Sequence, residues 1–314
     1  MIDFNPSKSI RNAYGETLAQ LGVQNENIVV IDADLSCSTQ TKIFAKEFPE
    51  RFFNVGIAEQ DAMTTAAGFS TVGKIPFVST FAMFATGRAW EQIRNSICYP
   101  KFNVKIVATH GGITVGEDGA SHQALEDISL MRSLPNMTVI VPADDTETRQ
   151  VIEFASKYKG PVYIRLSRLN LPGIFDEKSY NFSIEKAVLI EEGTDVTLIS
   201  NGDTLNEVIT CAKILKEKGI LAEVIHIPVI KPIDKQSIIK SASKTKNVVT
   251  IENHSIIGGL GSSVCEVLSE NLPTKMLRIG INDQFGQSGE AKELMEYYGL
   301  NANKLTEKIK GFLS

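Results

Sequence analysis

Short apolar runs alternate with helix-like segments along nearly the whole chain. Runs such as Asn27–Asp34, Ile75–Thr80 and Asn103–Thr109 are rich in β-branched residues, and each precedes or follows a segment with a helical pattern. Strands that are apolar throughout, separated by helices, are typical of a parallel sheet covered by helices on both faces. The sequence therefore predicts an α/β fold.

A mixed polar stretch interrupts this alternation near the middle of the chain. It runs from about residue 168 to residue 183 and contains Pro172 and Gly173, after which strands and helices alternate again. A chain of 314 residues also has room for two domains of roughly 150 residues each. We therefore predict two domains, residues 1–175 and 186–314, each a mainly parallel sheet flanked by helices.

The overall charge and hydropathy exclude several classes of protein. Lys plus Arg is 32 and Asp plus Glu is 37, a formal charge of −5, and no basic run marks a nucleic-acid-binding face. No apolar stretch approaches the roughly 18 residues of a membrane helix, and the N-terminal residues lack the apolar core of a signal peptide. We expect a cytoplasmic protein that binds neither nucleic acid nor membrane.

The cysteines predict neither a zinc site nor a disulfide framework, because they are scattered and no CxxC pair occurs. We expect four buried or half-buried free thiols. They are Cys37, Cys98, Cys211 and Cys265.

Polar residues follow several predicted strands, at the edge of the sheet where ligands bind in open parallel folds. Taken alone, each has a plain structural explanation: Glu59 could complement a helix dipole, a histidine could be a hydrogen-bonded core residue, and Arg168 could form a surface ion pair. Together they predict a polar site on an apolar scaffold. The residues are Glu59, His110, Asp118, His122, Arg165 and Arg168.

The segment GGLGSS, Gly258–Ser263, follows a predicted strand and opens a predicted helix, as phosphate-binding loops do. However, Val264 stands where the GxGxxG pattern requires its last glycine. We therefore favour a tight strand-to-helix turn over a dinucleotide site.

Two long segments are more specific than any single residue. RFFNVGIAEQDAMTTAAGFS and HGGITVGEDGASHQALEDISLMRSLPNMTVIVPAD resemble the pyrimidine-binding domain of transketolases, which depend on thiamine diphosphate. TDVTLISNG and IENHSIIGGLGSS resemble the C-terminal domain of the same family. The family's diphosphate-binding domain has no counterpart here. The chain therefore resembles the C-terminal half of a transketolase made as two polypeptides.

The resemblance implies how the cofactor would be held. Glu59 matches the buried glutamate that shares a proton with the pyrimidine ring, and an apolar neighbourhood of Val55, Ile57, Ala58 and Met63 would raise its pKa. Phe81 and Phe84 match the aromatic pair beside the pyrimidine, where Phe84 would stack. Asp34 and His122 also match positions near the cofactor. Mg²⁺ would be held mainly by the partner subunit, and no metal ligand is assigned to this chain.

The resemblance also implies a substrate side. His110, Asp118 and His122 keep the family's spacing of eight and then four residues, and Asp118 and His122 would contact the hydroxyl groups of the sugar. Gly111 and Gly112 follow His110 where the family often has Asp-Ser, which affects the choice of acceptor sugar. The positions that would grip the sugar phosphate are Arg11, Ser38, His110 and Arg168.

The implied function is transfer of a two-carbon ketol unit between sugar phosphates, as in the pentose phosphate pathway. It would require an N-terminal transketolase subunit, in a heterotetramer with two copies of each chain, and the present chain could also self-associate as a dimer. Alternatives are a 1-deoxy-D-xylulose-5-phosphate synthase-like enzyme, a transketolase subunit for a branched sugar phosphate, and a non-catalytic scaffold subunit. A 2-oxoacid dehydrogenase β-subunit is disfavoured, because that family lacks the GEDGASHQ pattern.

Overall fold

Two helix-covered sheets organise the chain, and the computed structural model describes residues 4–314. The strands that precede residue 175 are β1 (Asn5–Ser9), β2 (Ile28–Asp32), β3 (Phe52–Asn54), β4 (Ile75–Phe81), β5 (Lys105–Thr109), β6 (Thr138–Ile140), β7 (Val162–Arg165) and β8 (Asn170–Gly173). The helices are α1 (Ile10–Gln24), α2 (Ser36–Thr39), α3 (Lys42–Glu47), α4 (Glu59–Thr71), α5 (Trp90–Gln92), α6 (Asp127–Arg132) and α7 (Asp145–Lys157). Short 3₁₀ segments are Pro49–Arg51 and Ile113–Asp118, and π-helical segments are Phe84–Arg88 and Ile93–Cys98.

The rest of the chain builds the second sheet and its helices. The strands are β9 (Val188–Glu191), β10 (Val196–Ser200), β11 (Ala222–His226), β12 (Val229–Lys231), β13 (Asn247–Ser255) and β14 (Lys275–Ile281). The helices are α8 (Leu205–Glu217), α9 (Lys235–Thr245), α10 (Leu260–Asn271), α11 (Ala291–Tyr297) and α12 (Ala302–Leu313), and Gly202–Thr204 forms a 3₁₀ turn.

Both sheets are mainly parallel, which confirms the predicted α/β fold. The first has seven strands in the order β12-β6-β7-β5-β4-β2-β3, and only the edge strand β12 runs antiparallel, beside β6. The second has five strands in the order β14-β13-β10-β11-β9, with β9 antiparallel to β11. Every residue of β2, β5 and β7 is buried, which is why these strands are mainly apolar, with Asp32, Lys105 and Arg165 as buried charged exceptions.

The strand order of the first sheet brings together segments that carry predicted site residues. Strands β2, β4 and β5 are neighbours, so the segments that follow their carboxyl ends meet at one edge. Strand β12 comes from the second half of the sequence and pairs with β6 of the first sheet, with Val229 opposite Ile140. The second half of the sequence therefore contributes an edge strand to the first sheet through backbone pairing.

Some local predictions are wrong. The sequence pattern predicts one helix over Ala82–Ile97, and this segment is helical but divided into two π-helical segments around the short α5. The pattern also predicts a helix over His122–Leu134, of which only Asp127–Arg132 is helical. Part of the expected linker, Asn170–Gly173, is strand β8, which pairs with β1. Long-range pairing overrides the local pattern in the last two cases. Strand β8 pairs with β1, and Ala124 forms a bridge with Gly111 instead of joining a helix.

Two further expectations concern the burial of the cysteines and the absence of a membrane-spanning helix. Cys98 and Cys211 are buried, whereas Cys37 and Cys265 are exposed, so the expectation of four buried or half-buried thiols is wrong for those two. Among residues 4–314, the helices are all too short or too polar to cross a bilayer.

Candidate functional site

Phe81 and His110 lie side by side at the carboxyl ends of neighbouring strands. Phe81 closes β4 opposite Thr109 of β5, and His110 follows at once. Their rings stack with centroids 3.8 Å apart at an angle of 24°, and the Thr109 hydroxyl lies 2.8 Å from Nδ1 of His110. Only 3% of His110 is exposed. The imidazole is therefore held rigidly against an aromatic face.

Burial, the positive charges of Arg11 and Arg168 and a smaller contribution from His122 together lower the pKa of His110 to about 3. Its imidazole is therefore neutral near pH 7. A neutral imidazole at this position can offer one hydrogen-bond donor and one acceptor to a ligand.

Phe84 and His122 complete the aromatic side of the site. The Phe84 ring lies 5.9 Å from that of Phe81 at an angle of 14°, and the His122 ring meets Phe84 edge-on at 5.2 Å. Nδ1 of His122 lies 2.9 Å from the Ser121 hydroxyl. We refer to Phe81, Phe84, His110 and His122 as the aromatic–histidine cluster. The fold thus brings these four predicted residues together.

Glu59 begins helix α4 and is 2% exposed. Nη1 of Arg88 lies 3.0 and 2.9 Å from its two carboxylate oxygens, and the Arg88 guanidinium lies 4.8 Å from the centroid of Phe84. Glu59 is therefore buried and linked through Arg88 to the aromatic–histidine cluster.

The neighbourhood of Glu59 is less apolar than expected. Met63 is buried, but Ile57 is 77% exposed, and a guanidinium contacts the carboxylate. Sequence reasoning missed Arg88, although it follows Phe84 by four residues and could therefore share its helix face.

The residues predicted to grip a phosphate are also brought together. Arg11 donates from Nη1 to the Ser38 carbonyl at 2.7 Å and from Nη2 to the Arg168 carbonyl at 3.0 Å. Burial, with the charge of Arg168, lowers the pKa of Arg11, and its buried Nε has no hydrogen-bond partner within residues 4–314. Arg168 forms an ion pair with Glu117 at 2.9 Å. Two cations and a neutral imidazole thus border one side of the cluster.

The two remaining predicted carboxylates, Asp34 and Asp118, are exposed. Asp34 follows β2 with a φ of 62° and accepts a hydrogen bond from Asn54 at 3.0 Å. Asp118 ends the 3₁₀ segment that precedes His122. Asp32 is a buried carboxylate nearby, and its Oδ2 accepts hydrogen bonds from both Thr39 and Thr41 at 2.8 Å, which indicates a structural role.

One loop carries three of the predicted residues. We call residues His110–Ala124 the histidine loop, since it contains His110, Asp118 and His122. It closes on itself where the backbone N–H of Gly112 donates to the carbonyl of Ala124 at 2.9 Å. The Arg168 guanidinium binds its outer side through the Val115 carbonyl. The histidine loop therefore leaves the end of β5 and returns to lie beside its own first residues.

The GGLGSS turn is a tight strand-to-helix connection. The carboxylate of Glu252 accepts hydrogen bonds from the backbone N–H groups of Leu260 and Gly261 at 2.7 and 2.8 Å. Burial raises the pKa of Glu252 to about 7. The side-chain carboxyl group of Glu252 therefore occupies the helix N-terminus where a phosphate would bind.

No group of three or more His, Cys, Asp and Glu side chains that could hold a metal ion occurs among residues 4–314.

Comparison with known proteins places the chain among transketolases. The family model for the transketolase pyrimidine binding domain matches residues 7–173, and that for the transketolase C-terminal domain matches residues 185–305. A protein of Methanocaldococcus jannaschii, provisionally described as a transketolase C-terminal section, is 55% identical over 304 residues, which cover 96% of this chain and 95% of that protein. A 6-deoxy-6-sulfo-D-fructose transketolase subunit of a Clostridium species is 39% identical over 297 residues, 94% of this chain and 92% of that subunit.

A solved structure is similar over the same extent. It is described as a split gene transketolase in an inactive beta4 tetramer, and it is 52% identical with a TM-score of 0.91. The match covers 98% of each chain.

Proposed function

Because this chain belongs to the transketolase family, we propose that it is the C-terminal subunit of a two-chain transketolase that transfers a two-carbon ketol unit between sugar phosphates. The observation that carries the proposal is the position of Glu59, buried and joined through Arg88 to Phe84. A carboxylate next to an aromatic face is what recognition of a flat nitrogen heterocycle requires.

The residues present fit the pyrimidine side of thiamine diphosphate. Phe81 and Phe84 offer nearly parallel rings, and Phe84 is half-buried, so one face can receive a ligand. When bound, the cofactor supplies the carbon nucleophile of the reaction. Glu59 would hold the proton shared with the pyrimidine ring, and Asp34 and His122 would border the cofactor. The diphosphate and Mg²⁺ would be held mainly by the N-terminal subunit.

The other side of the cluster fits a sugar phosphate. Arg11 and Arg168 place positive charge near His110, and the unpaired Nε of Arg11 is a buried donor. These residues, with Ser38, would bind the phosphate, since guanidinium groups match phosphate geometry. Asp118 and His122 would contact the sugar hydroxyl groups from the histidine loop.

We propose an assembly of two copies of this chain with two N-terminal subunits. The similar split-gene structure, described as an inactive beta4 tetramer, supports a chain that self-associates without its partner and needs that partner for activity.

Reconstitution tests the proposal. The purified chain alone should not turn over xylulose 5-phosphate plus ribose 5-phosphate with thiamine diphosphate and Mg²⁺ present. Adding the N-terminal subunit should produce activity. Robust activity of the chain alone would contradict the two-subunit proposal, and no activity of the reconstituted pair would contradict the proposed substrates.

A second candidate is a transketolase subunit for a branched sugar phosphate or for a sugar that carries a sulfonate group in place of phosphate. It is favoured by the 39% identity to a subunit described as acting on 6-deoxy-6-sulfo-D-fructose and by Gly111 and Gly112 next to His110. A panel of ketose donors with the reconstituted pair separates the two candidates. Pyruvate consumption with glyceraldehyde 3-phosphate would instead indicate a synthase-like activity.

A further inference from the structure

We propose that Asn253, in the second sheet, is a positioning residue that fixes the histidine loop in place. Asn253 lies in β13, which carries none of the predicted site residues. The proposal rests on the proposed function for its effect on catalysis, whereas the effect on the loop can be measured independently.

The side-chain amide of Asn253 joins the loop to the second sheet. Its Oδ1 accepts a hydrogen bond from the backbone N–H of Ile113 at 2.9 Å. Its Nδ2 donates to Asp203 Oδ2 at 3.0 Å and to Thr114 Oγ1 at 3.1 Å. The amide orientation follows from its partners, because an N–H group must face an oxygen and a carboxylate must face a donor.

Asp203 extends this junction to the end of the first sheet. Its Oδ2 accepts hydrogen bonds from Thr114 Oγ1 at 2.7 Å and from Ser167 Oγ at 3.0 Å, in addition to Asn253. All four side chains are buried. A buried polar network whose members are paired rigidifies the segments that it joins.

The amide also lies directly against the residue two positions after His110. A Cβ built on Gly112 would be 2.4 Å from the Cγ, Oδ1 and Nδ2 atoms of Asn253, and Gly112 has a φ of 79°. Such distances exclude a side chain at this position. A Cβ built on Gly111 would lie equally close to the side chain of Arg165. Close packing therefore explains both glycines after His110.

The same strand also holds the returning end of the loop. Nη2 of Arg165 donates to the carbonyls of both Asn253 and Ala124, at 2.9 and 3.2 Å. The backbone N–H of Ser255 donates to the Leu125 carbonyl at 2.9 Å. Strand β13 thus contacts the chain after His110 and again after His122. Glu59 and Phe84 lie on other segments, which these contacts do not hold.

This arrangement predicts a specific pattern of effects in Asn253→Ala. With the reconstituted pair, kcat/KM for the sugar phosphates should fall about 10- to 100-fold, because small displacements of positioned groups cost that much. The dissociation constant for thiamine diphosphate, followed by fluorescence quenching, should change less than about threefold, since Asn253 contacts none of the residues proposed to bind its pyrimidine ring. Amide hydrogen exchange of residues 111–119 in the chain alone should accelerate at least about tenfold.

Asn247→Ala is the matched control. Asn247 lies in the same strand, and its amide donates to the Asp195 and Thr245 carbonyls within the second part of the chain. This variant should leave exchange of residues 111–119 unchanged. Equal acceleration in both variants would overturn the proposal, because it would indicate general loosening of the second sheet.

A charge-neutral swap tests the hydrogen bonds directly and covers the case in which Asn253→Ala does not fold. Asn253→Asp places two carboxylates together and should release the loop. The double variant Asp203→Asn/Asn253→Asp restores a donor facing a carboxylate and should recover most of the exchange protection and of kcat/KM. A double variant no better than Asn253→Asp would overturn the proposal. If the wild-type pair lacks transketolase activity, the proposed function fails, and the exchange results alone decide the role of Asn253.

Discussion

Nη1 of Arg88 bridges both carboxylate oxygens of Glu59, at 3.0 and 2.9 Å. The two residues differ sharply in exposure, since the side chain of Arg88 is 50% exposed and that of Glu59 is 1% exposed. The cation therefore reaches the buried carboxylate from the solvent side, across the face of Phe84. The pair defines the chemical environment in which Glu59 would meet a ligand.

Glu59→Gln should lower kcat of the reconstituted pair by at least about 100-fold, because it keeps the shape of the side chain and removes the group that would hold a proton. A coupled assay of ketol transfer measures the effect. Glu16→Gln is the control, because Glu16 also pairs with an arginine, Arg149, at 2.7 Å, and it should retain activity. Near wild-type activity of Glu59→Gln would favour the scaffold alternative.

Arg88→Ala should reduce the free energy of unfolding by about 1–2 kcal/mol, because it leaves a buried carboxylate without its charged donor while water can partly replace the exposed guanidinium. The loss should be smaller in the Glu59→Gln background, which urea unfolding of the four proteins of the double-mutant cycle measures. Arg94→Ala, which removes an exposed contact with Asn95, should change stability by less than about 0.5 kcal/mol. Equal losses in both backgrounds would contradict the coupling.

Gly112→Ala should destabilise the protein by more than about 2 kcal/mol, because a Cβ would overlap the amide of Asn253 and φ is positive. Gly73→Ala separates the two causes, since Gly73 has a φ of 83° but nothing within 4 Å of its built Cβ. It should cost only about 1 kcal/mol. Urea unfolding measures both values, and similar losses would show that close packing against Asn253 contributes little.

His110 should make the protein less stable in mild acid. Its pKa is about 3 in the folded chain, against an ordinary value of 6.5, so below pH 6.5 the unfolded chain binds a proton that the folded chain excludes. This contribution to stability is lost progressively as the pH falls from 6.5 towards 3. Between pH 7 and pH 5, His110→Asn should therefore lose about 2 kcal/mol less free energy of unfolding than the wild type.

Urea unfolding at the two pH values measures that difference. Contributions from other groups are shared by both proteins and cancel in the comparison. Parallel losses in the wild type and the variant would contradict the buried, uncharged state of His110.

The strand pattern of the first sheet could be predicted from the sequence because β2, β5 and β7 are buried on both faces and therefore mainly apolar. The grouping of Phe81 with His110 follows from the same pattern, since each ends or follows a neighbouring strand. Local composition thus carried the information that positions the aromatic–histidine cluster.

Other features depend on contacts between distant residues, which no local pattern shows. The pairing of β1 with β8 and the bridge between Gly111 and Ala124 join segments that look like linker and helix in the sequence. Asn253 lies 140 positions from Ile113, whose N–H it accepts, and nothing in its neighbouring residues marks it as different from any buried polar side chain.

Strand β12 has a practical consequence for dividing this chain into fragments. A fragment that ends before residue 186 would lack β12 and leave the backbone groups of β6 uncovered along an outer edge of its sheet. Uncovered edges of this kind recruit strands from other molecules. Such a fragment is expected to precipitate or to form non-native oligomers. A fragment that contains the first sheet should therefore also include residues 229–231.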